Sequence, residues 1–131
     1  MGQKVHPIGF RIGVILGWNA TWFAKKRQLP EFLAADLKLR KYIKAKFPDH
    51  GIVRVYIERK TEKSVRLTIY TAKPGILIGR AGTEVENLRK ILEKIEGRQV
   101  FVNIKEVKDY ATNAQLVAEG LAFQLEKRVS F

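Results

Sequence analysis

The residues best suited to chemistry form one stretch, Ile76-Leu77-Ile78-Gly79-Arg80-Ala81-Gly82-Thr83-Glu84-Val85. An apolar run ends in Gly-Arg-Ala-Gly, and a helical pattern begins directly after it. Two glycines three apart recur by chance in many sequences, so the frame around them carries the meaning. Apolar residues precede Gly79, a cation lies between the glycines, and Val85 follows three residues past Gly82. A loop of this kind brings backbone N–H groups close to a phosphate, because glycine has no side chain to hold the ligand away. The chemistry on offer is therefore anion binding, and a nucleic-acid backbone is the natural anion.

Catalysis has little to work with. Ser64 and Ser130 are the only serines, His6 and His50 the only histidines, and cysteine is absent. No pair of these residues has metal-ligand spacing, and thiolate sites and disulfides are excluded. No Walker lysine follows Gly82, and no Gly-x-Gly-x-x-Gly occurs. Glu84, Glu86, Glu93 and Glu96 lie among Arg89, Lys90 and Lys94, which reads as a salt-bridged solvent face. We expect a protein that is not an enzyme, with no cofactor and no metal.

The charge balance points the same way as the loop. Among 131 residues, 25 Lys and Arg stand against 13 Asp and Glu, a formal net charge of +12. The length suits one domain with a real core, and 46% hydrophobic with 29% charged residues is ordinary for a globular chain. The excess of cations favours a polyanionic partner: RNA, DNA or an anionic membrane surface. It is also localised. Residues 1–29 hold Lys4, Arg11, Lys25, Lys26 and Arg27 and no acid, and +11 of the +12 lies before residue 74. These five cations are expected to touch phosphate, together with Gly79, Arg80, Ala81 and Gly82 of the loop. Arg54, Arg59, Lys60 and Lys63 form a second basic group, for which a solvated hairpin is the plain alternative. Trp18, Trp22 and Phe23 precede the basic triplet and could stack on bases. A simpler role for the tryptophans is to anchor an irregular arm onto the domain.

The elements that position these residues follow from periodicity. Pro30 suits the start of a helix whose stripe is Phe32, Leu39, Ile43 and Phe47, ended by Pro48-Asp49-His50-Gly51, with His50 as a turn residue. Residues 52–59 and 65–71 alternate as strands, with Val53, Val55 and Ile57 on one face of the first, and residues 60–64 link them as a hairpin. Pro74-Gly75 breaks the second strand and leaves Ile76 to Ile78 as one helical turn. Val85, Leu88, Ile91, Leu92 and Ile95 stripe a helix that a Thr83/Glu86 capping box would start and Gly97 would stop. Residues 99–107 form a third strand. A last helix runs from about residue 112 to 128, with Ala114, Val117, Leu121 and Leu125 inward and Thr112/Gln115 as a second box. The fold class is α+β, a three-stranded sheet with helices on one face.

The loop and its frame resemble the Ile-Gly-x-x-Gly-x-x-Ile signature of KH domains, with Val85 in the last position. The α-β-β-α-α-β order is similar to the KH type-2 arrangement. Beyond the loop, several segments resemble the bacterial and plastid family of small ribosomal subunit protein S-three. They are the opening Gly2-Gln3-Lys4-Val5-His6-Pro7-Ile8-Gly9-Phe10-Arg11-Ile12-Gly13, Trp22-Phe23-Ala24, Ile57-Glu58-Arg59, Ala72-Lys73-Pro74-Gly75 and Ala114-Gln115-Leu116-Val117-Ala118-Glu119.

This resemblance implies a basic arm over residues 1–29, a KH type-2 RNA-binding domain over 30–107, and a helix over 108–131. That helix would lead to a second α+β domain beyond Arg128-Val129-Ser130-Phe131. It implies a structural constituent of the small subunit that binds ribosomal RNA in the subunit head. Contact with messenger RNA and proximity to proteins S-ten and S-fourteen follow from the same resemblance. The expected location is the ribosome of a bacterial cytoplasm or a plastid. The opening segment has no apolar core like that of a secretory signal, and no apolar run approaches the roughly 18–20 residues that span a bilayer. A freestanding KH regulator or assembly factor is the alternative, but such a module needs no acid-free arm. A membrane-surface protein is disfavoured, because no helix combines a broad apolar face with a dense cationic one.

Overall fold

A computed structural model describes residues 2–48, 51–61 and 63–130. In chain order its elements are α1 (Pro7–Arg11), β1 (Ala20–Thr21), α2 (Leu29–Lys46), β2 (Ile52–Thr61), β3 (Ser64–Thr71), α3 (Pro74–Ile78), α4 (Thr83–Glu96), β4 (Gln99–Glu106) and α5 (Ala114–Glu126), with 3-10 turns at Arg80–Gly82 and Tyr110–Thr112. Asp49 and His50 of the expected turn, and Glu62 of the expected hairpin link, lie outside the described residues.

The β-branched alternation of β2 and β3 pairs them as an antiparallel hairpin, with Val55 opposite Ile69 and Ile57 opposite Leu67. β4 runs parallel beside β3, with Leu67 opposite Val102. The sheet order is β1-β2-β3-β4, one strand more than the three expected. The extra strand is two residues of the arm, too short to show any alternation in sequence. It is held because the Ile57 N–H donates to the Asn19 carbonyl at 3.2 Å, which brings Ala20 beside Ile57.

α2, α3 and α4 cover one face of the sheet. Leu39 and Ile43 of α2, Leu77 of α3, and Leu88 and Leu92 of α4 are sealed against Ile57, Leu67, Ile69 and Val100 of the strands. Each such side chain contributes about 1.5–3 kcal/mol through burial. Phe32, Leu39, Ile43, Phe47, Leu88 and Leu92 are thus where periodicity places them, but Val85 and Ile91 are half-buried, Ile95 is 37% exposed, and two further details differ. A register shift between Ile52 and Arg54 turns Ile52 and Val55 inward and leaves Val53 half-buried. The Thr83/Glu86 box does not form: Gly82 is the N-cap, and the Thr83 hydroxyl, already inside the helix, donates to the Arg80 carbonyl at 3.0 Å.

α5 departs furthest. Its N-cap is Asn113, whose Oδ1 accepts from the N–H groups of Gln115 and Leu116, while the Thr112 hydroxyl donates to the Asp109 carbonyl. The expected inward residues Ala114, Val117, Leu121 and Leu125 are exposed, and no residue of α5 is buried. Leu116 is the residue turned toward the sheet, against Gly51 at the start of β2. An apolar stripe reports amphipathicity, and amphipathicity alone does not say what covers it.

Candidate nucleic-acid interface

The glycine loop is shaped by its backbone. α3 is a single turn closed by the Gly79 N–H, which donates to the Gly75 carbonyl at 3.0 Å. Gly79 then takes φ 70° and ψ −177°, a conformation essentially restricted to glycine. A Cβ there would meet Glu84 Cγ at 2.6 Å, so space and torsion both demand glycine. Gly82 takes φ 78° and ψ 7°, the left-handed region, and delivers the chain into α4. Leu77 on one side, and Leu88 and Leu92 on the other, hold the loop between two anchored elements.

Among the described residues no side chain caps α4, and the Thr83 N–H that opens it donates to the carbonyl of the exposed Arg80. Glu84 and Glu86 occupy the first turn of α4. Their charge opposes an incoming phosphate, so the loop by itself is a weak anion site and needs cations from elsewhere.

The arm supplies them. Lys25, Lys26 and Arg27 are exposed and lead into α2 through a turn in which the Lys25 carbonyl accepts from the Gln28 and Leu29 N–H groups. Cations at this end of a helix oppose its dipole, at about 0.3–1 kcal/mol each, so folding does not favour them there. Glu31, the one acid in the first turn of α2, is taken by Arg98 at 2.8 Å. Among the described residues, none of Lys4, Arg11, Lys25, Lys26, Arg27, Lys63 and Arg80 pairs with a carboxylate. Arg11 folds back to donate to the Pro7 carbonyl within α1 at 2.9 Å, a helix whose N-terminus is capped by His6 Nδ1.

The aromatic residues of the arm divide. Trp22 Nε1 donates to Asp36 Oδ2 at 2.8 Å and sets its ring edge-on to Phe32, with centroids 5.8 Å apart. It is the expected anchor. Trp18 and Phe23 stay 68% and 90% exposed.

Arg59 is a correction. It sits on β2 in phase with Val55 and Ile57, which turns it beneath the helices rather than toward a ligand. Its Nε donates to Asp36 Oδ1 at 3.1 Å, its Nη1 pairs with Glu96 Oε1, and its guanidinium lies over the Phe32 ring. Burial works against its charge, but the hydrogen bonds to Glu96 and Asp36 prevail and raise its pKa above the ordinary guanidinium value. Glu96 likewise leaves the expected solvent face: its Oε1 accepts from Arg59 and Arg98, and its Oε2 is buried without a partner among the described residues. Arg98 is raised chiefly by its hydrogen bond to Glu31. Arg40 is lowered by burial against the counter-pull of Asp36, and donates to the carbonyls of Val55 and Asn19.

Trp22, Asp36, Arg59, Glu96, Arg98 and Glu31 thus tie the arm to α2, β2 and α4. Their signal was in the sequence. Asp36 interrupts the stripe between Phe32 and Leu39, Glu96 continues the stripe of Leu88 and Leu92, and strand parity puts Arg59 inward.

The remaining hairpin cations do point outward. Arg54 lies over the Tyr70 ring at 5.5 Å, Lys60 is 3.6 Å from Glu58, and Lys63 is exposed in the turn between β2 and β3. The expected phosphate contacts therefore form separate groups, at the arm, the glycine loop and the hairpin, rather than one pocket. Among the described residues, no His, Asp and Glu side chains gather as metal ligands, and no helix is long and apolar enough to cross a membrane.

A KH domain model matches residues 38–111, the segment that holds the glycine loop and three of the four strands. The chain belongs to the KH domain family. It is also similar along its entire length to curated proteins named "Small ribosomal subunit protein uS3". It is 56% identical to that of Carboxydothermus hydrogenoformans, 58% to that of Desulfitobacterium hafniense and 51% to that of Enterococcus faecalis. In each case 100% of this chain aligns with 59% of the relative, so the chain spans about three-fifths of their length. The similarity takes in the arm as well as the KH domain.

Proposed function

We propose that the chain is a structural, non-catalytic RNA-binding part of the small ribosomal subunit. The observation that carries this reading is similarity to the ribosomal relatives through residues 1–29 as well as through the KH domain. An acid-free arm with unpaired cations suits ribosomal RNA, where many phosphates must be neutralised at once. Residues 1–29 act as the RNA-gripping arm, 30–107 as the KH type-2 domain, and 108–131 as a helix toward a second domain. Within the subunit head the chain lies near proteins S-ten and S-fourteen, and its glycine loop faces the side where messenger RNA enters. The working location is the ribosome, in a bacterial cytoplasm or a plastid.

Deletion of residues 1–29 tests the reading. The shortened chain should fail to enter small-subunit particles in a reconstitution followed by sedimentation. Normal incorporation would instead favour a freestanding KH module that binds through its glycine loop.

A further inference from the structure

The sheet has a second face, away from α2, α3 and α4, which α5 reaches at one end, where Leu116 lies against Gly51. Strand parity and register place Arg54 and Tyr56 of β2, Arg66, Thr68 and Tyr70 of β3, and Phe101, Asn103 and Lys105 of β4 on that side. Three cross-strand rows result: Arg54–Tyr70–Lys105, Tyr56–Thr68–Asn103 and Glu58–Arg66–Phe101. In the first row the Tyr70 ring lies between two cations, Arg54 at 5.5 Å and Lys105 at 5.8 Å from its centroid. Among the described residues neither cation meets a carboxylate, whereas Lys60 and Arg66 share Glu58 at 3.6 Å each. Phe101 is 47% exposed on the edge strand, although the alternating residues Val100, Val102 and Ile104 pack into the core.

We propose that this outer face is a second RNA surface, one that binds a single-stranded segment along β4. Phe101 offers a ring for a base to stack on, Asn103 an amide for a base edge, and Lys105 with Arg54 two cations for the backbone. Alternate side chains on a strand stand about 6.6 Å apart, a step that one nucleotide of an extended strand can follow. The ring of Tyr70 holds both cations in place, so less side-chain freedom is lost when a phosphate arrives. Charge complementarity selects the partner: three cations, Arg54, Arg66 and Lys105, against one carboxylate, Glu58, suit a polyanion, whereas the centre of a protein–protein interface is depleted of charge. An exposed aromatic ring needs an unstacked base, which a duplex does not present. The glycine loop belongs to the helix-covered side, so the two surfaces are distinct. The inference rests on the chain being an RNA binder and adds where a further strand lies.

The test is fluorescence anisotropy of the full chain with a labelled single-stranded RNA dodecamer of mixed sequence, titrated at several salt concentrations. Phe101→Ala should weaken binding about tenfold without changing the salt dependence, as expected for a lost stack. Lys105→Gln should make the logarithmic salt slope shallower by about 0.7, as expected for one lost phosphate contact. Phe101→Tyr should bind like the parent, and all three should keep the parent's melting temperature. Parent-like binding by Phe101→Ala and Lys105→Gln, with weakened binding by Arg80→Asp, would overturn the outer face and leave the RNA reading standing. A parent chain that binds no RNA overturns both. Tighter binding of a duplex than of the single strand, or a benzophenone at position 101 that cross-links only to protein in ribosomal particles, also overturns the proposal.

Discussion

Arg54 and Arg59 lie five residues apart on β2, and the sheet sends them to opposite sides. On the helix-covered side Arg59 meets Asp36 and Glu96, and its charge is consumed in holding the arm, α2 and α4 together. On the outer side Arg54 lies over the face of Tyr70 and, among the described residues, pairs with no carboxylate, so its charge stays available. The same division separates several other cations among the described residues. Arg98 belongs with Arg59, while Lys25, Lys26, Arg27 and Arg80 belong with Arg54. A basic residue is a ligand-binding candidate when folding leaves it without a carboxylate, and counting cations alone cannot make that distinction.

The sharpest way to break the comparison is to remove the buried arginine. Arg59→Ala leaves the buried Asp36 and Glu96 carboxylates without their shared guanidinium, and among the described residues Glu96 Oε2 already lacks a partner. A stability loss of about 3–5 kcal/mol is expected in urea unfolding. A loss of less than about 1 kcal/mol would show that the network is dispensable and that Arg59 resembles Arg54 after all.

Next comes the loop. Gly79→Ala introduces a Cβ at 2.6 Å from Glu84 Cγ at a φ of 70°. The expected cost is about 1–3 kcal/mol by thermal denaturation, together with weaker RNA binding as the turn is displaced. Unchanged stability would mean that the loop relaxes freely and is not held in shape by α3 and α4.

The smallest effect on folding is expected at the arm. Changing Lys25, Lys26 and Arg27 together to Gln should alter stability by less than about 0.5 kcal/mol, because the three are exposed and oppose the α2 dipole. The same variant should make the logarithmic salt slope of RNA binding shallower by about 2. Destabilisation comparable to that of Arg59→Ala would place these cations in the structural class.

Much of this was legible along the chain. The stripes Phe32–Leu39–Ile43 and Leu88–Leu92, the alternation of β3, and the turn at Pro74 are local patterns, and they reappear as core because burial enforces their period. The demand for glycine at position 79 was legible as a motif, although its reason, the approach of Glu84, belongs to the folded chain. Two capping boxes were misread because Thr83 and Thr112 each lie beside the true cap, and a one-residue offset decides whether a hydroxyl meets an N–H or a carbonyl. The stripe of α5 was read as inward because periodicity carries no information about the neighbour.

By itself, then, the sequence determined the elements after the arm, the glycine loop and the surplus of positive charge, since each depends on residues close together along the chain. Tertiary structure alone decided which charges remain for a ligand. It set Arg59 between an aspartate 23 positions before it and a glutamate 37 positions after it, and among the described residues it left Arg54, Lys105 and the cations of the arm without such partners. Electrostatic pairing acts through space over a few ångströms, and only the fold brings distant residues within that range.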